Sequence, residues 1–162
     1  MNNKYKPHLV ILPEDDANRQ IALGFENNEK LNSRVIQILS EAGGWKDVVK
    51  TFTDDYVSKM RQYPERRMVL LIDFDEKDYN YRLDYVKQHI PNDLEDRVFV
   101  IGVSDDPEEL RRNTGKSFEK IGETLANDCA ENTNKLWGHK LLKHNKAELD
   151  RMIISVKPFL LN

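Results

Sequence analysis

Residues 68–76 read Met68-Val69-Leu70-Leu71-Ile72-Asp73-Phe74-Asp75-Glu76. Five consecutive apolar residues without polar alternation suit a strand covered on both faces, as in a parallel sheet. The run ends on carboxylates, where a buried strand would reach the rim of its sheet. The same shape recurs on either side. Upstream, His8-Leu9-Val10-Ile11-Leu12 is closed by Pro13, Glu14, Asp15 and Asp16. Downstream, Val98-Phe99-Val100-Ile101-Gly102-Val103 is closed by Ser104, Asp105, Asp106 and Pro107. Arg34-Val35-Ile36-Gln37-Ile38-Leu39 is less apolar and reads as a fourth strand nearer an edge.

Helical spacing fills the gaps. Asp15–Phe25 carries Ala17, Ile21 and Phe25 four apart, after acidic residues suited to a helix N-terminus. Lys46–Met60 carries Val48, Val49, Phe52, Tyr56 and Met60, read as two short helices broken near Thr53. Tyr79–Ile90 places Leu83, Val86 and Ile90 on one face, and Ser117–Cys129 places Ile121, Leu125 and Cys129. A tail from Lys140 carries Leu142, Leu149, Met152, Ile153 and Val156, with Pro158 as a stop. Strands alternating with helices imply an α/β fold: three layers, a mostly parallel four-stranded sheet with helices on both faces, and extra C-terminal helices. Residues 1–162 read as one domain, with a core over 8–112 and a helical extension over 117–160.

Composition narrows the function classes. No apolar run approaches the roughly 18 residues of a membrane span, and the opening Met1-Asn2-Asn3-Lys4-Tyr5-Lys6 lacks the apolar centre of a secretory signal. Cys129 is the only cysteine, which excludes an internal disulfide and points to a reducing, cytoplasmic setting. The net charge of −3 disfavours nucleic-acid binding by charge alone, although a bound metal or local Lys/Arg patches would offset it.

Ligands of open parallel sheets bind beyond the carboxyl ends of the strands. Glu14 follows the first strand and Asp73 and Asp75 follow the third. In extended backbone Asp73 and Asp75 point the same way, with Phe74 opposite. If the two strands are neighbours, about 4.8 Å apart, Glu14, Asp73 and Asp75 converge on one site. Carboxylates this close repel unless a cation joins them. Magnesium, or manganese, suits such hard oxygen donors and would activate water against a phosphoryl group. The competing reading is that acidic residues here cap the helices that follow.

These segments resemble a TOPRIM domain, the Rossmann-like catalytic module of topoisomerases, bacterial primases and the overcoming-lysogenisation-defect nucleases. The resemblance covers roughly residues 8 to 112 and lies in Glu14 after the first strand, Asp73-Phe74-Asp75 after the third, and Gly43-Gly44-Trp45-Lys46 after the second. Acidic residues lead into a helix after the fourth, at Asp106-Pro107-Glu108-Glu109. The chain departs from the family pattern at Asp15, where a glycine is common, and at Trp45, which separates the glycine pair from Lys46. The resemblance implies metal-dependent phosphodiester cleavage. Glu14, Asp73 and Asp75 would be metal ligands, Glu108 or Glu109 would serve a second ion, and Lys46 or Lys77 would contact phosphate. Larger relatives fuse the module to an ATPase or a DNA-binding domain, so a partner ATPase or a homodimer is expected, and none of the six tyrosines is assigned as a nucleophile.

The same residues also resemble a phosphoacceptor receiver. Glu14-Asp15-Asp16 matches its acidic pair, Asp73 its phosphorylated aspartate, Ser104 its hydroxyl residue and Lys157-Pro158 its terminal lysine. About fifty residues separate Ser104 from Lys157, too many for one ordinary crossover. This reading, and that of a non-catalytic interaction module, stand as alternatives. His8, His89, His139 and His144 lack zinc-ligand spacing, and Cys129 on an apolar helical face reads as packing. Arg61, Arg66, Arg67 and Arg111, Arg112, Lys116, Lys120 form two basic groups, read either as a phosphate-tracking patch or as solvated surface. The tail with Lys140, Lys143 and Lys146 reads as an amphipathic helix closing the domain.

Overall fold

The computed structural model describes residues 3–162, and in it the apolar runs lie side by side. Strands β1 (His8–Pro13), β2 (Ile36–Ile38), β3 (Arg66–Leu71) and β4 (Val98–Ile101) form one sheet in the order β2-β1-β3-β4. Every neighbouring pair is parallel. Among the described residues, seven α-helices accompany them: α1 (Asp16–Glu26), α2 (Trp45–Thr51), α3 (Val57–Gln62), α4 (Tyr79–Gln88), α5 (Pro107–Thr114), α6 (Phe118–Glu131) and α7 (Lys146–Leu160). The fold is the expected three-layer α/β arrangement with added C-terminal helices. No helix among the described residues is long and apolar enough to cross a membrane.

Both faces of the sheet are covered, which is why its strands do not alternate. Leu9, Ile11, Val69, Phe99 and Ile101 face a core built with α1, α6 and α7. Val10, Leu12, Met68, Leu70, Val98 and Val100 face a second core, with Val48, Val49 and Phe52, Met60 of α3, and Val86 of α4. On the first face α1 and α6 approach until their backbones touch. A Cβ on Gly24 would stand 2.0 Å from the Glu119 carbonyl oxygen, and one on Gly122 would stand 1.9 Å from that of Ile21.

Several boundaries differ from the sequence reading for local reasons. The edge strand spans only Ile36–Ile38, because Ser33–Val35 curl into a 3-10 turn whose Arg34 N–H is taken by the Asn32 side chain. The expected break near Thr53 is instead a π turn, Phe52–Tyr56, that joins α2 to α3 and keeps Phe52 buried. A separate helix, α5, precedes α6 and ends at Gly115, whose φ of 67° is left-handed. Pro158 does not stop α7, which runs to Leu160. The carbonyl that loses its partner there belongs to Ile154, which is 79% exposed and open to water. The tail becomes α-helical at Lys146 rather than Lys140, after a 3-10 turn at Lys143–Asn145.

α7 runs down the sheet from the carboxyl ends of the strands. Asn145, just before it, exchanges hydrogen bonds with Gly102. Further along, Glu148 accepts from Val100 N–H, Arg151 donates to the Val98 carbonyl, and Ser155 meets Arg67 at the start of β3.

Candidate functional site

Chain order reverses between β1 and β3, with β2 beyond one and β4 beyond the other. The connections leave to opposite faces there, and a crevice opens at the carboxyl ends of the two strands. Register decides what lines it. β1 and β3 pair from His8–Arg66 to Pro13–Leu71, and the Glu14 N–H continues the ladder by donating to the Leu71 carbonyl at 2.9 Å. Glu14 is therefore level with the residues that follow β3.

Each member of the site is held by several elements. The Glu14 carboxylate accepts the Asp73 N–H at 3.1 Å, while its carbonyl accepts the Gly43 N–H at 2.9 Å. Gly43 has φ 113°, a left-handed value that glycine adopts without a Cβ clash, and it turns the chain from β2 toward α2. Asp15 is the N-cap of α1, accepting from both the Asn18 N–H and the Asn18 side-chain amide at 2.9 Å. That amide also donates to Asp73 Oδ1 at 2.8 Å. From α4, Arg82 donates to the Asp73 carbonyl at 2.8 Å and lays its guanidinium 5.0 Å over the Trp45 ring.

One carboxylate oxygen from each of Glu14, Asp15 and Asp73 falls within 4.8 Å of the others. The electrostatic strain shows in their protonation. Burial first, then the charges of Glu14 and Asp15, push the Asp73 carboxyl up to about 8, against the lowering effect of the Asn18 hydrogen bond. Burial also raises the Glu14 carboxyl, with the Asp73 N–H pulling the other way. Asn18 is fully buried, and its Oδ1 has no hydrogen-bond partner among the described residues. Glu14, Asp15 and Asp73 are the residues here that could hold a metal ion, since each offers a hard carboxylate oxygen.

The expected residues divide. Glu14 and Asp73 come together, but Asp75 lies outside the group. Beyond Asp73 the backbone turns: the Asp75 carboxylate accepts the Lys77 N–H at 3.2 Å and its carbonyl accepts the Asp78 N–H at 2.8 Å. Asp75 is exposed, and Asp15 takes the third place. Asp75 and Glu76 instead lie near Asp105, whose carboxyl is raised by burial and then by Asp106, Glu109, Glu76 and Asp75. Glu108 sits in the first turn of α5, while Glu109 is engaged by Arg112 and Asn113. Lys46 is exposed, its ammonium 5.5 Å from the Trp45 ring and 5.3 Å from that of Tyr85. Lys77 is exposed at the rim.

The two basic groups do not form a free patch beside the carboxylates. Arg66 is buried against His8, Arg67 bonds the Glu65 carbonyl and Ser155, and Arg61 pairs with Asp93. Arg112 pairs with Glu109, Lys120 pairs with Glu123, and Arg111 lies over Phe118. Cys129 is buried, with its thiol pushed up to about 12 mainly by that burial, which leaves it inert. Lys157 lies on α7 past Ser155, at the amino end of the sheet and away from Asp73.

Asn18 and Arg82 have no place in the sequence reading of the site, and Asp15 enters it only in the acidic pair of the receiver alternative, outside the metal-ligand set of Glu14, Asp73 and Asp75. The Asp15-to-Asn18 spacing was a usable signal, since an N-cap and the residue three further on face each other; Arg82 carried none. No family model matches this chain, and neither a curated protein nor a solved structure matches it.

Proposed function

We propose that this chain is a metal-dependent phosphodiesterase acting on nucleic acid, in the manner of a standalone TOPRIM-like nuclease, with Glu14 and Asp73 as its principal carboxylates. One observation carries the reading: three carboxylates from two different strand ends lie within 4.8 Å of one another, in the crevice where α/β sheets bind ligands. Magnesium or manganese fits the all-oxygen donor set. Such an ion, when bound, supplies polarisation of a phosphoryl oxygen and a more acidic water.

The chain's own groups do the rest. Glu14, steadied by the Asp73 N–H, would take a proton from the attacking water. Asp73 must lose its own proton to serve as a ligand, and Arg82 and Asn18 fix its backbone and side chain while it does so. Asp15 adds a third oxygen. Asp75 and Glu108 belong to the proposal as rim carboxylates for a second ion, and Lys46 as a phosphate contact. A separate ATPase or a second copy of the chain would bring the substrate.

Calorimetric titration with manganese, followed by cleavage assays on plasmid, single-stranded DNA and RNA, tests the proposal. Glu14→Gln and Asp73→Asn should each abolish cleavage and leave the circular dichroism spectrum intact. Unchanged cleavage in both variants overturns it.

Asp15 favours a second reading, because an acidic pair after β1 facing Asp73 after β3 is also the arrangement of a phosphoacceptor receiver. Against it, Lys157 stands at the opposite end of the sheet. Labelling of Asp73 by acetyl phosphate would support the receiver.

A further inference from the structure

Beside the crevice, the start of α2 and the outer side of α4 bring three aromatic rings together. Trp45 lies 6.0 Å from Tyr81 and 5.1 Å from Tyr85, and the two tyrosines lie 6.3 Å apart. Trp45 and Tyr85 lean on the core of that face, whereas Tyr81 is 57% exposed. Two cations rest on the rings: the Arg82 guanidinium over Trp45 at 5.0 Å, and the Lys46 ammonium near Trp45 and Tyr85. Arg82 ties this group to the crevice, since it also donates to the Asp73 carbonyl.

We infer that this cluster is a stacking platform for single-stranded nucleic acid; its place in the reaction rests on the phosphodiesterase reading above. Exposed aromatic faces next to cations bind unpaired bases with little regard to sequence. A base pair inside a duplex has no free face to offer. The contact of an exposed lysine with a ring is weak and exchangeable. A nucleotide satisfies both halves of it, with the base on the ring and the phosphate on the released ammonium. Asp47 and Asp84 lie on the same two helices, so stacking rather than net charge carries the affinity. A strand seated here has its backbone led past Arg82 toward Glu14 and Asp73.

The test uses the full chain in EDTA, with fluorescein-labelled dT20, U20 and a 20-base-pair duplex followed by anisotropy. One or both single strands should bind at least tenfold more tightly than the duplex, and the two strands separate a DNA from an RNA preference. Trp45 emission should be quenched on binding, and the quench should persist in Trp137→Phe, which removes the buried second tryptophan. Tyr81→Ala, at an exposed position that does not threaten folding, should weaken binding by about threefold or more, and Trp45→Ala by about tenfold. Equal binding of duplex and single strand, no binding at all, or undiminished binding by both variants overturns the platform. Single-strand binding without any metal-dependent cleavage would retain the platform and remove the phosphodiesterase reading. Cleavage of duplex without single-strand binding would do the reverse.

Discussion

Glu14 and Asp73, 59 residues apart in sequence, are joined by a hydrogen bond from the Asp73 N–H to the Glu14 carboxylate at 3.1 Å. It adds a side-chain tie to the backbone bond from the Glu14 N–H to the Leu71 carbonyl. It holds one carboxylate against another that burial has already made reluctant to ionise.

That reluctance sets a pH dependence. A carboxyl whose pKa is raised in the folded state binds its proton more tightly folded than unfolded. Its stabilising contribution is full below the unfolded value of 3.8 and is lost as pH rises through about 8. The metal-free protein should therefore lose Tm by several degrees between pH 5 and pH 8.5 in differential scanning calorimetry. Asp73→Asn should flatten that slope and melt higher than the parent at pH 8.5. Manganese should raise the parent's Tm at pH 8 and leave the variant's unchanged. A parent Tm that does not fall with pH would show that the Asp73 carboxyl is not held protonated.

Asn18 spans Asp15 and Asp73 with a single amide. Asn18→Leu fills the space but withdraws both hydrogen bonds, and should cost the metal-free protein about 2 kcal/mol in urea titration. Asn18→Asp adds a fourth carboxylate. It should lower metal-free stability further, yet show a larger gain in Tm than the parent when manganese is added. A gain no larger than the parent's would place Asn18 outside the reach of the ion.

Away from the crevice, the buried Asp128 carboxylate accepts the Thr133 hydroxyl and the N–H groups of Lys135, Leu136 and Trp137. It folds the chain back after α6. Asp128→Ala strands those donors in the interior and should cost about 3 kcal/mol, read as a lowered urea midpoint. A loss under about 0.5 kcal/mol, the usual range for a surface change, would mean the loop holds itself.

At Gly24 and Gly122 the α1–α6 contact leaves no room for a side chain. Gly122→Ala places a methyl 1.9 Å from the Ile21 carbonyl oxygen, so the helices must separate. The expected loss is about 2–3 kcal/mol, even though alanine favours an isolated helix over glycine by up to about 1 kcal/mol. Thermal melting that rises in the variant would refute the close approach.

Periodicity made the layers legible from the chain alone. Leu9-Val10-Ile11-Leu12 and Val69-Leu70-Leu71 are apolar at every position because each has a core above and below it. Such a run carries its meaning locally. The strand ends at Glu14 and Asp73 were legible too, since each apolar run stops where the first carboxylate appears. Pro158 and Thr53 misled, because a helix tolerates a proline near its end and a wide π turn within it when burial on one face continues.

Only the folded chain could choose between Asp75 and Asp15. Once the ladder ends, the direction of a side chain depends on the turn that follows, and the Asp75 turn is fixed by its own bonds to Lys77 and Asp78. Arg66 and Arg67 likewise read as a basic surface until β3 pairs with β1 and α7 crosses them, at which point His8 and Ser155 absorb them. Burial patterns are written in neighbours along the chain. The company a polar group keeps is set by segments far from it in sequence, and those meet only through packing.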